Sequence, residues 1–586
     1  MRNIKLAIAF LLAFACIATQ ADAAGGARPV RVSIIAFNDF HGALEPPHYA
    51  VPATGPDGAA IRVPAGGAAW FASAVARLRA ANPNHVVVSA GDLTSASPLV
   101  SAEFLDEPTI LAMNRIGLDF NAVGNHEFDR GRAELLRLQN GGCVRHTSRM
   151  PCRLDRFPGA RFHYLAANVR TEDGGTLFPP YAIRSFGRGR DQVRIGFIGL
   201  TLRGTATLVM PTGIAGLTFE DEADAINAAI PRLRAAGVDA IVVLIHQGVS
   251  TQVGYNDHSC RGIDGGLMPI LARLDPAVDL VVSGHTHNAY ICDYGRIDPT
   301  RPFLVTSAGR NGALLTDISL SIDPARHRVL AKNADNIIVQ SESFQDGTGQ
   351  VALSALFPHY QPDPDIAALV ARYAQAAAPI IARPIGHMAG AALKESLPSG
   401  ESVMGNLIAD AFLAATHAPE AGGARIAFTN QTSVRDDIVP AADGSVNFGQ
   451  LFAVQPFANT LVVMSLSGRQ IRAVLEQQFA SGSNSVAHPS MLIPSRGLTY
   501  AYDLNRPQGQ RILDLKLDGA PIGDDSVYRV ATNSYLAAGG DNFTLFREGA
   551  DPLVGPQDVD VLEHYIAAAG VLVPPAADRV TRVAPR

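Results

Sequence analysis

The sequence predicts an α/β protein of at least two layered domains. Three observations carry this: a length of 586 residues, a 47% hydrophobic content, and β-branched apolar runs that alternate with helix-like segments. A chain of this length exceeds what one hydrophobic core encloses. In its first half the apolar runs fall at 32–37, 86–89, 193–198, 241–245, 280–282 and 303–305, and each ends in polar residues. Between the first two, Ala68, Phe71, Val75 and Leu78 share one face of a helix expected over 66–80. After a polar stretch at 341–349, Pro362-Asp363-Pro364-Asp365 precedes an Ala-rich helix over 366–381, which stops before Pro384 and reads as a connector. A second unit then alternates again, with strands at 425–428, 461–466, 498–503 and 528–532 and a helix at 471–479. The expected division is a leader at 1–23, a first domain at 30–345, a connector at 358–383, a second domain at 384–566 and a loosely held Ala/Pro-rich tail at 567–586.

The leader has Arg2 and Lys5, an apolar run over 6–18 and an Ala21-Asp22-Ala23 cleavage signal, so export to a periplasm is expected. Lipid attachment at Cys16 is a weaker alternative, because Ala13-Phe14-Ala15 fits a lipidation signal poorly. No later segment has the apolar length of a membrane helix, so stable membrane insertion is not expected. Without Cys16 an even set remains, Cys143, Cys152, Cys260 and Cys292. Three connectivities are open, as are free thiols. Cys143–Cys152 with Cys260–Cys292 is favoured, since each pair closes a loop within one segment. A net charge of −6 and a pI near 6.2 offer no general attraction to polyanions, which argues against a nucleic-acid polymer as partner. No obligate protein partner is evident.

The chemistry sits where strands end, since the carboxyl ends of strands are where open α/β sheets gather ligands. Five segments there carry metal-type donors: Asn38-Asp39-Phe40-His41, Ala90-Gly91-Asp92, Gly124-Asn125-His126-Glu127-Phe128-Asp129, His246-Gln247-Gly248 and Gly284-His285-Thr286-His287. Asp39 and His41 are expected to alternate to one side of an extended chain, and His285 and His287 likewise. Each segment alone is weak, but their compatible chemistry in one domain is a strong joint signal. Carboxylate, imidazole and amide oxygen without thiolate suit two divalent ions such as Zn, Mn or Co. A close pair of metals needs a shared ligand, and Asp92 is the candidate bridge. Asp39, His41, Asp92 and His287 are assigned to one ion, and Asp92, Asn125, His246 and His285 to the other.

Such a pair activates water for in-line attack on phosphorus, so no protein nucleophile is required. His126 is better placed as a cation or acid beside the phosphoryl group than as a ligand, with Asp129 holding it oriented. Glu127 is expected to support the loop. Neither a Gly-x-Ser-x-Gly elbow with ordered partners nor a P-loop is present.

These motifs resemble the calcineurin-like metallophosphoesterases. Gly-Asn-His-Glu-Phe-Asp and the second unit resemble, more narrowly, the 5′-nucleotidase family of bacterial UDP-sugar hydrolases and ecto-5′-nucleotidases. The resemblance spans nearly the whole mature chain. It implies a four-layer αββα metal domain, a linker helix and a second α/β substrate-binding domain. It also implies that His126 and Asp129 form a catalytic dyad and that nucleotides are the substrates. Phe457 and Asn459 in Gln455-Pro456-Phe457-Ala458-Asn459, with Tyr535 and Asp541 in Ser534-Tyr535-Leu536-Ala537-Ala538-Gly539-Gly540-Asp541, match its nucleoside pocket. There two aromatic faces hold a base, Asn459 reads its edge and Asp541 accepts from ribose. Arg435 matches a phosphate-binding arginine. Two departures stand out: the family's Asn-Gly-Gly-Gly-like turn reads Asn430-Gln431-Thr432-Ser433, and arginines found upstream of Glu401 in several relatives are replaced by Leu397-Pro398-Ser399-Gly400. Weaker phosphate clamping is the expected result. Two alternatives remain open, a 2′,3′-cyclic-nucleotide phosphodiesterase/3′-nucleotidase and a non-catalytic nucleotide-binding surface protein.

Overall fold

A computed structural model of the chain describes residues 28–583 apart from 148, 347, 348 and 458. The expected leader, its cleavage point and Cys16 lie outside the described residues. The N-terminal unit contains, in chain order, β1 (Val30–Phe37), β2 (His85–Ser89), β3 (Phe120–Ala122), β4 (His163–Leu165), β5 (Tyr181–Phe186), β6 (Val193–Leu200), β7 (Ala240–Ile245), β8 (Leu280–Ser283), β9 (Ala289–Asp293), β10 (Leu304–Ala308), β11 (Leu314–Asp323) and β12 (Arg328–Ile338). They form two six-stranded sheets, ordered β12-β11-β1-β2-β3-β4 and β9-β10-β8-β7-β6-β5. β1 to β4 run parallel in the first sheet, and β6, β7, β8 and β10 run parallel in the second.

Alternation along each strand decides which core a side chain joins. Val32, Ile34 and Ala36 of β1 face Phe197, Val242 and Leu244 in a core between the sheets. Ile35 and Phe37 face the other way and pack with Phe71 and Val75 of α1 (Ala68–Ala81) and with Ile110 and Met113 of α2 (Glu107–Ile116). On the outer face of the second sheet, Val243 and Ile245 pack with Ile226, Ile230 and Leu233 of α3 (Glu222–Ala235). The layer order is therefore helix, sheet, sheet, helix.

The connector is the helix α4 (Pro364–Ile381), whose first turn is capped by the Asp363 carboxylate accepting from the backbone N–H groups of Asp365 and Ile366. Its apolar face, Ile366, Leu369, Val370, Tyr373 and Ala377, is buried in the N-terminal core, and Tyr373 meets Phe104 edge-on at 4.9 Å. The helix is thus docked mainly on the N-terminal unit, while Ile380 and Ile381 at its end pack against Phe448 and Phe452 of the C-terminal unit.

The C-terminal unit centres on a five-stranded sheet ordered Leu492–Pro494, Ile426–Asn430, Val527–Asn533, Thr460–Ser467 and Ala550–Gln557. Helices Val403–Thr416 and Asp558–Ala568 cover one face, and helix Gly468–Glu476 covers the other. The segment after Ile566 corrects the expectation of a loose tail. Val580–Arg582 pairs in parallel with Leu498–Tyr502, and Val571–Leu572 pairs with Pro384–Met388. The buried Arg579 guanidinium donates to both oxygens of Asp410 at 2.8 Å, and the Glu401 carboxylate accepts from the N–H groups of Arg579 and Val580. Composition suggests looseness, but a buried bidentate pair and a strand ladder hold the segment. Cys143 is bonded to Cys152 and Cys260 to Cys292, the favoured pairing.

Candidate active site

All five donor segments stand at the carboxyl ends of parallel strands: Asp39 after β1, Asp92 after β2, Asn125 after β3, His246 directly after β7, and His285 with His287 after β8. The expectation that Asp39/His41 and His285/His287 alternate along extended backbone is not met. Their φ angles are 49°, 48°, 70° and 58°, and that of Asp92 is 51°, so the aiming is done by left-handed turns. Backbone bonds between the loops hold those turns: the N–H groups of Asp39 and His41 donate to the carbonyls of Gly91 and Asp92, at 3.0 Å each. A Cβ at Gly91, where φ is +92°, would lie 2.8 Å from both Gly124 N and His246 Nδ1, so only glycine fits this crossing.

The side chains gather into two clusters, each able to hold a cation: Asp39, His41 and His287, and Asp92, His246 and His285. In the first, His41 Nε2 lies 3.1 Å from His287 Nε2, which is itself 3.4 Å from Asp39 Oδ1. In the second, His246 Nε2 lies 3.0 Å from Asp92 Oδ2 and 3.1 Å from Asn125 Oδ1, and Asn125 Oδ1 is also 3.1 Å from His285 Nδ1. Asp92 Oδ2 is 3.7 Å from His41 Nε2 as well, so one carboxylate stands between the clusters.

This donor set fits divalent cations. His41 Nδ1 donates to Ser95 O at 2.9 Å and His246 Nδ1 to Ala90 O at 2.8 Å, which leaves both Nε2 lone pairs facing inward. Burial pushes His41 down to about 3 and His285 down to about 4, toward the neutral imidazole that binds metal. His246 is the exception. Burial opposes its charge, but the adjacent Asp92 carboxylate prevails and lifts it to about 10. In the first cluster the two Nε2 atoms converge at 3.1 Å, within reach of one shared cation.

His126 opens a short 3-10 turn, His126–Phe128, and its Nδ1 is 2.7 Å from Asp129 Oδ2. Burial alone would lower His126, but the Asp129 and Asp92 charges raise it above its ordinary value. Glu127 points away from the cavity, where its carboxylate accepts from the N–H groups of Asp92, Leu93 and Gly124 and ties the two loops together.

A cavity of about 330 Å³ joins the two units. Asp92, Asn125, His126, Asp129, His285 and His287 line one side, and Arg435, Phe457, Asn459, Tyr535 and Asp541 line the other. Every expected C-terminal site residue therefore lines the same cavity as Asp92, His285 and His287 of the two donor clusters. His126 stacks on Phe457 at 5.8 Å with ring planes 13° apart, and the Arg435 guanidinium lies 5.7 Å from the same ring. Asn459 is 92% buried and is within 3.5 Å of Ser534 Oγ. Sequence reasoning left several contributors unassigned, among them the lining residues Thr286, Thr432 and Ser433. Leu208, Val209 and Met210 add an N-terminal apolar wall. Arg310, over Tyr49 at 5.2 Å, brings a second guanidinium whose charge reaches His287 and Arg435. The only local sign for Arg310 was a cation just beyond β10.

Paired carboxylate–imidazole clusters on stacked sheets, with a histidine beside them and an arginine across the cleft, define a metal-dependent phosphoric ester hydrolase. Residues 32–289 match the calcineurin-like phosphoesterase family, and residues 384–548 match the 5′-nucleotidase C-terminal domain. The chain belongs to the 5′-nucleotidase family of calcineurin-like phosphoesterases. It is 27% identical to the endonuclease YhcR of Bacillus subtilis (strain 168), an alignment covering 96% of this chain and 42% of that protein. It is 25% identical to the 5′-nucleotidase of Bos taurus, covering 94% of this chain and 91% of the relative. The crystal structure of a 5′-nucleotidase precursor from Thermus thermophilus matches with a TM-score of 0.72 at 25% identity, covering 95% of this chain and 100% of that one.

Proposed function

We propose that this chain is an exported, dinuclear-metal 5′-nucleotidase that releases phosphate from nucleotides and also accepts nucleotide sugars. One observation carries the reading: a single cavity has two cation-holding clusters on one wall and an arginine, two aromatic rings and a carboxylate on the other. Asp39, His41, Asp92 and His287 hold one cation, and Asp92, Asn125, His246 and His285 the other. When bound, two ions such as Zn, Mn or Co supply Lewis acidity toward the phosphoryl group and acidify water.

The remaining steps belong to the side chains. Arg435 binds phosphoryl oxygens through its fork of donors. His126, oriented by Asp129 at 2.7 Å and shifted toward its charged form by that carboxylate, serves as a cation or acid where the phosphoryl group gains negative charge. Phe457 and Tyr535 take the faces of the base, Asn459 reads its edge and Asp541 accepts from the ribose. The metal-bearing domain is 30–345 with α4 docked on it, and the substrate domain runs from 384 through the paired segment at Val580–Arg582. Two disulfides support an oxidising compartment and hence the periplasm. No helix among the described residues is long and apolar enough to cross a membrane.

The test is a substrate panel of AMP, ADP, UDP-glucose, 3′-AMP, 2′,3′-cyclic AMP and single-stranded DNA, run on chelator-stripped protein and on protein reloaded with Zn, Mn or Co. Phosphate release from AMP that requires reloading supports the reading. Turnover confined to 3′-AMP and the cyclic nucleotide would replace it with the phosphodiesterase alternative. Binding of AMP without any turnover would leave a non-catalytic receptor.

A further inference from the structure

Asp541 is held in a socket that leaves its carboxylate little capacity for a ligand. It is 93% buried, and its φ of 48° turns it back beneath the Tyr535 ring. A Cβ on Gly540 would stand 2.5 Å from that ring, so the ring closes directly over the turn. The Asp541 carbonyl accepts from Asn484 Nδ2 at 2.8 Å, and its N–H donates to the Tyr535 hydroxyl at 3.0 Å. The side chain is not free to swing.

A carboxylate offers about four acceptor positions. The Tyr535 hydroxyl donates to Oδ1 at 2.6 Å, and Asn430 Nδ2 donates to Oδ2 at 2.7 Å. The Thr432 hydroxyl, itself accepting from Asn430 Nδ2 at 2.6 Å, also donates to Oδ2. Ser433 and Asn533 in turn donate to Asn430 Oδ1, which fixes the orientation of that amide. Three of about four positions are filled by the protein. Thr432 stands in a turn where a glycine would leave one of them open.

Resting on the nucleotidase reading, we propose that Thr432 and Tyr535 are specificity-determining residues that restrict Asp541 to a single ribose hydroxyl. The cleft then accepts 2′-deoxyribonucleoside monophosphates nearly as well as ribonucleoside monophosphates. A site built to bond a hydroxyl rejects the analogue lacking it because its own polar group is stranded. Here the absent hydroxyl strands nothing, because Asp541 keeps three donors.

The experiment measures kcat/KM for AMP and for 2′-deoxy-AMP with the metal-loaded full chain. The expected AMP/dAMP ratio is below about 10, far under the discrimination of a site that needs the hydroxyl. A larger ratio, or turnover of AMP alone, overturns the inference while leaving the nucleotidase reading intact. Failure to turn over either substrate removes that reading and the inference with it. In Thr432→Val/Tyr535→Phe, two acceptor positions open and the ratio should rise by about fivefold or more. An unchanged ratio in a folded, active double variant shows that these hydroxyls do not set the preference.

Discussion

The two walls of the cleft are aimed by different means. On the N-terminal wall, Asp39, His41, Asp92, His285 and His287 project from left-handed backbone that is locked by hydrogen bonds between loops and by a crossing only Gly91 permits. On the C-terminal wall only Asp541 shares such backbone, with a φ of 48°, and Asn430, Thr432, Tyr535 and Asp541 are held together by side-chain hydrogen bonds. Strained turns cost roughly 1–3 kcal/mol each, and the surrounding structure must sustain them. They fix a geometry that serves any phosphoester. A side-chain network is easily altered one residue at a time, so substrate preference can change without disturbing the clusters.

The sharpest way to break this comparison is at His126. His126→Ala should lower kcat by about 10²–10⁴-fold for AMP and for glycerol phosphate alike, because the lost charge serves the phosphoryl group and not the nucleoside. A loss confined to AMP would move His126 to the substrate side. Arg435→Ala comes next. Its guanidinium feels Asp92, Asp129 and Asp39, so kcat/KM should fall about 10–100-fold for both substrates, and Arg435→Lys should restore only part of it.

Phe457→Ala should separate the walls. Loss of a stacking face raises KM for AMP by about 5–100-fold and leaves glycerol phosphate within about twofold, since that ester has no base to stack. Equal losses would show that Phe457 acts by supporting His126, on which it stacks.

The smallest effect lies at the opposite end of the second sheet. Burial pushes the Asp279 carboxyl up to about 6, although it accepts from Ile241 N at 3.0 Å. A carboxyl raised on folding binds its proton more tightly in the folded state, so its contribution is present below about pH 4 and declines as pH rises toward 6. Asp279→Asn should therefore raise Tm by roughly 2 °C at pH 8, leave it unchanged near pH 4, and not alter kcat. A change in kcat would show that the frame and the site are not separable.

Much of this organisation was legible. Apolar runs marked β1, β2, β6, β7, β8 and β10 to within a few residues, because a strand buried on both faces is recorded in consecutive residues. The hairpin of β11 and β12 escaped notice, since its second strand is mostly solvent-facing and lacks such a run. The tail was misread because Arg579 finds Asp410 at a separation of 169 residues.

By itself the sequence determined which donors exist and that they follow strands, because side-chain chemistry and periodicity are local properties. Tertiary structure alone decided that His41 and His287, 246 residues apart, bring their Nε2 atoms within 3.1 Å of one another. It also decided that the Arg310 charge reaches His287 and Arg435 and that Asp541 is largely satisfied by its neighbours. These outcomes depend on distances across the fold and on the sign of φ at single residues, neither of which propensity or spacing encodes.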